Sequence, residues 1–476
     1  MTTHVDEELR VRTTRYELKT QAEAFAFFVA FVREYGEDQA FLLDSVTDAN
    51  KSYCSSMIGL FPMIAVKGKG NQLSLSGHKS VVERLHMDSS QTICGDLSTR
   101  LDEILHSFAV EVQLPAYAFG YLGFFGYDAI RYFEKIPVST HDDREIDDFH
   151  LQIHRIVMHI TPEMTVVYVH DIDGVDGPLI EDVERIMETA RTQPLFFRGY
   201  DQTKLTSHED VSLEVYRQRV ERIKEYVRAG DVFQCVISKR LRVMGDVDTL
   251  EVYGRLRKMN PSPYMFYAHY GSYLIFGASP EMQLRIEGKD VQMRPIAGTS
   301  KGKGSTPEEN QRLIDDLQHD PKERAEHVML VDLCRNDIGR IAVPGTVQVE
   351  QLLEIEEYSH VYHLVSRVSA KILDGISPFD VFLSTFPAGT LSGAPKVRAM
   401  EIIDELEDVH RGPYGGIIGM FDVLGNVDTA IIIRTVVYQD NVCYLQAGAG
   451  IVADSDADQE WKECDHKLGA LRATIY

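Results

Sequence analysis

VDTAIIIRTVVYQDNVCYLQAGAG, residues 427–450, carries two strand patterns in succession, at 427–438 and 442–450, and a helical pattern follows at 456–473. SYLIFGAS (272–279) reads as another strand, and helices are expected at 321–337 and 393–408. Strands and helices that do not alternate strictly predict an α+β fold of packed layers, not a doubly wound sheet. One residue interrupts the apolar run AIIIRTVV: Arg434. Burying a guanidinium is costly unless it is paired, and the carboxylate of a bound substrate is one such partner.

Upstream, SLEVYRQRVERIKEYVRAGDVFQCVISKRL (212–241) reads as helix, Gly-Asp turn and strand. The N-terminal half mixes both element types. Helices are expected at 20–36 and 96–110, a strand at 39–46, a glycine- and aromatic-rich strand and turn at 117–133, and a hairpin at 150–172. The division that follows is an N-terminal part at 1–190, a connector at 191–211 and a C-terminal part at 212–476, where the chemical punctuation is densest.

The 476 residues carry 49 basic and 73 acidic side chains, a formal charge of -24. That balance argues against a duplex nucleic-acid binder but permits a small anionic substrate held by a few local cations. The six cysteines form no CxxC pair, so no zinc or thioredoxin-like motif is indicated. MTTHVDEELRVRTT lacks the apolar core of a signal peptide, and no run is long and apolar enough to span a bilayer. Free thiols in a reducing cytoplasm are the natural reading.

Two acidic pairs stand out. DPKERAEHVMLVDLCRNDIGR (320–340) places Glu323 and Glu326 on one face of a helix, and DADQEWKECDHK (456–467) does the same with Glu460 and Glu463. Two such helices can hold one hard divalent cation through a few carboxylates, with water and substrate oxygens completing the shell. Local readings compete. Asp320-Pro321 is a helix start, which puts Glu323 at N3, where a capping box would use it. Glu463 and Lys467 suit an exposed i,i+4 pair of about 0.3–0.5 kcal/mol.

Four glycine-rich turns, PIAGTSKGKG (295–304), FPAGTLSGAPK (386–396), RGPYGGIIG (411–419) and QAGAGIV (446–452), expose backbone N–H groups able to cradle carboxylates. Thr390 and Ser392 add hydroxyls. EYSHVYHLVSRV (357–368), read as a strand, puts His360 and His363 on opposite faces, and the local pattern does not choose between them.

Together these segments resemble the chorismate-utilising enzyme family, and within it the aminase–lyase subunits, component I of anthranilate synthase. GDVFQCVISKR, NPSPYMFY, GASPE, RPIAGT, DPKERAEHVMLVDLCRND, YSHVYHLVS, FPAGTLSGAPK, RGPYGG, DTAIIIRT, QAGAGIVADSD and EWKECDHK run in family order across residues 230–467. The resemblance implies a layered α/β sandwich with large, mostly antiparallel sheets. It implies a Mg2+ site at Glu323, Glu326, Glu460 and Glu463, bridging to the ring carboxylate of chorismate. Tyr414, Arg434, Gly448, Gly450 and Lys467 match the positions that hold substrate carboxylates. Glu281 matches an acid that assists departure of the C4 hydroxyl, Thr390 lies against the ring, and His363, not His360, matches the histidine tied to pyruvate elimination.

Two positions discriminate within the family. Relatives that add water carry a lysine base where this chain has Gln234, and relatives that form a lysine adduct carry that lysine where this chain has Ala297. Ammonia attacking C2 is the chemistry left, yielding anthranilate and pyruvate, or stopping at 2-amino-2-deoxyisochorismate. The resemblance also implies a partner glutamine amidotransferase subunit, component II, supplying ammonia within a hetero-oligomer. The family's tryptophan site maps to Asp44, Ser45, Pro263, Tyr264 and Met265. LLDS has Asp44 where glutamate is usual, and VTDANKSYCSS departs from the common pattern, so weak or absent feedback is expected.

Overall fold

The protein is described by a computed structural model over residues 9–19, 21–45, 55–85, 90–92 (backbone only), 97–110, 114–175, 177, 180–300, 302–358 and 361–476. Its strands form one branched, almost wholly antiparallel network. The branch point is the long pair Ser56–Lys69 and Phe149–Ile160. From it one arm runs through Ala40–Asp44, Tyr264–His269, Leu274–Ser279, Thr435–Gln439 and Val442–Ile451 to Gln234–Met244. The other runs through Gly120–Phe125, Ile417–Asp422, Val427–Ile431, Met282–Glu287 and Asp290–Met293 to Tyr362–Lys371. The exception is the parallel contact of Leu9–Val11 with Phe108–Val110. The expected α+β class with mostly antiparallel sheets is borne out.

Both arms cross between the N- and C-terminal stretches, so the two share one set of sheets. The helix Ala24–Tyr35 adds to this. Its aromatic face, with Phe25, Phe27, Phe28 and Phe31 buried, meets Tyr253 and Tyr267 edge-on at centroid distances of 5.3 and 5.4 Å. Such pairs contribute about 0.5–1.5 kcal/mol each beyond area burial. Gly36 ends the helix at φ 101°, a conformation without penalty only for glycine. Within the expected connector, Thr206–Glu209 forms an edge strand on Leu241–Met244.

Two sequence expectations are corrected. The 427–438 run is not one strand: it stops at Ile431 and resumes at Thr435. Ile432 leaves the ladder to exchange backbone hydrogen bonds with Gly415 and Gly416, and Arg434 follows at φ 52°. Nor is 357–368 one strand. Gln348–Glu357 and Tyr362–Lys371 are the two arms of a hairpin, closed by Tyr358 N–H donating to the Val361 carbonyl at 2.9 Å. His360 lies outside the described residues, as do Val46 and most of VTDANKSYCSS. The described cysteines, Cys235, Cys334, Cys443 and Cys464, are free and buried. Among the described residues no helix is long and apolar enough to cross a membrane.

Candidate active site

The break at Ile432–Arg434 builds the site. Ile431 N–H donates to the Glu281 carbonyl, and Ile432 holds the Gly415–Gly416 turn, so Glu281, Tyr414 and Arg434 converge on one point of the sheet. The break also leaves an edge without a paired strand. Val442–Ile451 pairs along its length with Gln234–Met244, but Thr435–Gln439 covers its other side only as far as Leu445. Among the described residues no strand pairs with 446–451, QAGAGI, on that side. Lys467, from the helix Ala457–Ile475, reaches this edge and donates to the Gly448 carbonyl at 2.8 Å.

Gly448 is a packing requirement. A Cβ there would stand 2.9 Å from Tyr414 Oη and 2.9 Å from the Ile237 carbonyl. Backbone cannot yield as a flexible side chain does, so Gly448→Ala is expected to displace Tyr414. An ångström-scale misplacement costs on the order of 10²-fold in kcat/KM, checked by steady-state kinetics beside a far-ultraviolet spectrum. Gly450 has the same function for Gln234, whose Nε2 lies 2.3 Å from where a Cβ would be. So placed, Gln234 donates to Glu326 Oε1 at 3.0 Å.

Glu281 is buried, 7% exposed, and accepts from the Thr390 hydroxyl at 3.2 Å. Burial pushes its carboxyl up to about 8, against the pull of Thr390, the Ile296 amide and Lys467. It therefore holds a proton at neutral pH and is a competent general acid. Arg434 is in the opposite situation. Burial lowers its pKa, with Tyr414 and Glu463 opposing. It donates to the Lys467 carbonyl at 3.4 Å, and among the described residues no carboxylate ion-pairs with it. A desolvated guanidinium without a counter-ion is a site for an anionic ligand.

His363 Nδ1 lies 3.1 Å from both the Gly298 carbonyl and Thr299 Oγ1. A carbonyl only accepts, so the Nδ1 proton points at it and Nε2 is left with a lone pair. Burial lowers the His363 pKa, keeping the ring neutral.

The acidic pairs divide. Asp320 caps the helix Pro321–Gly339 as expected, accepting from the Lys322 and Glu323 amides. Glu323 does not close a capping box with it. Its carboxylate instead lies near enough to the Thr299 amide to be stabilised by it, while burial and the adjacent Glu326 raise its pKa. Burial likewise raises Glu460. Lys322 lies within electrostatic reach of both Glu323 and Glu460. Glu463 is exposed and pairs with Lys467 at 2.6 Å, the i,i+4 contact expected of a surface turn. Among the described residues no three acids, histidines or cysteines are gathered into a ready metal cage. Glu323, Glu326 and Glu460 nonetheless form no ion pair among the described residues. That donor set fits a hard cation bound by few protein oxygens and completed by water and substrate; it does not fit a closed all-protein cage.

One element escaped the sequence reading. Arg411, in RGPYGG, is 1% exposed. It holds both Glu407 oxygens, at 2.8 and 2.7 Å, and donates to the Leu391 and Val236 carbonyls at 2.6 and 2.8 Å. It thereby ties FPAGTLSGAPK to the strand Gln234–Met244. The only signal for it was a charge inside a glycine-rich turn. Of the positions expected for a tryptophan site, Asp44 pairs in register with Met265, while its carboxylate accepts from Arg257 Nε at 2.7 Å and from Ser56 Oγ at 2.6 Å.

Residues 62–473 match the family described as chorismate binding enzyme. The chain belongs to that family, as its motifs implied. It is 41% identical over 452 residues to anthranilate synthase component 1 of Acetivibrio thermocellus, covering 91% of this chain and 90% of that protein. It is 35% identical over 495 residues to a 2-amino-4-deoxychorismate synthase of Streptomyces globisporus, covering 99% and 98%. Anthranilate synthase component I of Streptococcus pneumoniae superposes with a TM-score of 0.77 at 32% identity, covering 91% of this chain and 94% of that one. The menaquinone-specific isochorismate synthase of Escherichia coli, at 16% identity and a TM-score of 0.71, shares the fold.

Proposed function

We propose that the protein converts chorismate and ammonia to anthranilate, pyruvate and water. The observation that carries this reading is Glu281, a buried, protonated carboxyl beside Thr390, in the same stretch of sheet as Arg434, which has no ion-pair partner among the described residues. Arg434, Tyr414 and the edge at Gly448 bind the enolpyruvyl carboxylate, with Lys467 orienting that edge. Magnesium held by Glu323, Glu326 and Glu460, with Glu463 at its rim, would draw in the ring carboxylate and stabilise charge as the C4 hydroxyl departs. Ammonia forms the C2–N bond while the C4–O bond breaks, and Glu281 gives its proton to the leaving hydroxyl, releasing water; the C2 ammonium then gives up one proton, which restores the Glu281 carboxyl. His363 Nε2 then takes the C2 proton, the enolpyruvyl C–O bond breaks, and the ring becomes aromatic; the enolate gains a proton from water to give pyruvate.

Neither Gln234 nor Ala297 supplies a base for water or a nucleophilic amine, which supports free ammonia as the nucleophile. The relatives named component 1 support a separate glutaminase subunit as its source. A second reading, arrest at the aminated intermediate, is favoured by the likeness to the 2-amino-4-deoxychorismate synthase. Purified protein given chorismate, Mg2+ and an ammonium salt is expected to develop anthranilate fluorescence. Chorismate loss without fluorescence would favour the second reading.

Tryptophan control is proposed to be weak. Asp44 is shorter than the usual glutamate, and both its oxygens are held by Arg257 and Ser56. Micromolar tryptophan is expected to leave the initial rate unchanged, and strong inhibition at that concentration would refute this.

A further inference from the structure

We propose that Tyr358 is a positioning residue that sets the tilt of the His363 ring, and so decides whether the aminated intermediate loses pyruvate or is released. The inference rests on the reaction proposed above. His363 is held at one atom: its Nδ1 lies 3.1 Å from both the Gly298 carbonyl and Thr299 Oγ1. The terminal torsion of histidine has broad minima, so the ring can tilt about Nδ1. Nε2, the atom that must reach the C2 proton, lies on the side that swings. A second restraint is needed, and Tyr358 supplies it. Its ring stands edge-on to the imidazole, with centroids 4.9 Å apart and planes at 82°, the T-shaped arrangement that aromatic quadrupoles favour.

Tyr358 is itself held. It follows the strand Gln348–Glu357, and its N–H donates to the Val361 carbonyl at 2.9 Å, across the hairpin that returns to His363. Glu356, two residues before it, is the register partner of His363 and ion-pairs with Arg294. Arg294 in turn lies within electrostatic reach of Tyr358, and so does the acid Glu281. His363, Glu356, Arg294 and Tyr358 thus close a circuit of neighbours beside the proton donor. Tyr358 is half-buried, so its ring can be changed without opening the core.

The two steps of the reaction depend on this contact unequally. Attack of ammonia and departure of the C4 hydroxyl call on Glu281, not on His363. Elimination calls on His363: the C2–H bond gives its proton to Nε2 and its electron pair to the new C2–C3 double bond, and the C3–O bond breaks with its electrons on the enolpyruvate oxygen. A tilted imidazole therefore slows the second step and spares the first. The intermediate then has time to leave.

Pyruvate and anthranilate counted against chorismate in Tyr358→Leu test the role, since leucine keeps the apolar bulk but not the ring. Elimination is expected to slow by about 10–10²-fold, the cost of a misplaced reacting group, so that pyruvate per chorismate consumed falls below about one half. The balance is expected as an aminated product that keeps its enolpyruvyl ether, while the initial rate of chorismate consumption changes less than about threefold. Tyr358→Phe, which keeps the ring, is expected to hold the ratio near one. With chorismate deuterated at C2, the leucine variant is expected to show a larger isotope effect on anthranilate formation than wild type, because C2–H cleavage has become the slow step. An unchanged ratio in Tyr358→Leu, or amination and elimination lowered in equal proportion, overturns the role. If Tyr358→Leu does not fold, Tyr358→Met carries the same expectation, and full pyruvate there overturns it equally. A wild type that yields no pyruvate at all would instead refute the proposed reaction, and this role with it.

Discussion

Glu326→Gln is expected to lower kcat/KM by at least about 10³-fold, equivalent to some 4 kcal/mol of transition-state stabilisation, with the fold retained. The substitution is nearly isosteric. Its amide oxygen still accepts from Gln234 Nε2, the hydrogen bond that now holds Glu326 at 3.0 Å, and the helix keeps its Asp320 cap. What is lost is one negative charge from a site whose purpose is to gather charge around a cation. The neighbouring Glu323, raised by burial and by Glu326, becomes easier to ionise, so Tm is expected to hold or rise. Steady-state kinetics across a magnesium titration, with thermal unfolding alongside, checks both halves. Near-normal turnover would refute the metal assignment, and collapse of the fold would recast Glu326 as structural.

Glu281→Gln is the second large effect, with two consequences of opposite sign. Loss of the proton donor is expected to reduce kcat by about 10²–10⁴-fold, and to remove the fall in wild-type kcat as pH rises through about 8. Stability should move the other way. The folded-state pKa, about 8, lies above the ordinary value of 4.5, so the native state holds this proton more tightly than the unfolded chain. Wild-type stability is thus full below about pH 4.5, declines as pH rises towards 8, and stays at the lower level beyond. Glutamine does not ionise and can still accept from Thr390. The variant is therefore expected to exceed wild type by about 1–3 kcal/mol at pH 9 and to match it near pH 4. Denaturant melts at the two pH values measure this. A variant less stable at both would show that the carboxyl is not held neutral.

Much of the fold was legible because its signals are local. The Asp320-Pro321 start, the Gly36 and Gly230 ends and the apolar strand runs each arise from a few adjacent residues. What stayed hidden depends on partners distant in sequence. The run at 427–438 looks continuous because nothing in it announces that Ile432 bonds to Gly415 and Gly416. That break makes the site, leaving residues 446–451 without a strand partner on one side and turning Arg434 inwards. The cost of burying Arg434 could be read from its apolar neighbours; its lack of a counter-ion could not. Glu323 shows the same limit. Its helix position suited a cap, and only the folded chain brings the Thr299 amide to its carboxylate. Arg411 and Glu407 are one turn apart, yet glycine and proline around Arg411 read as surface turn, whereas the pair is buried.

Pyruvate counted against chorismate is the most direct measurement of the central claim. With chorismate limiting, ammonium in excess and Mg2+ present, one pyruvate and one anthranilate per chorismate consumed is the predicted result. Chorismate consumed with no pyruvate, leaving an aminated product that retains its enolpyruvyl ether, would contradict it.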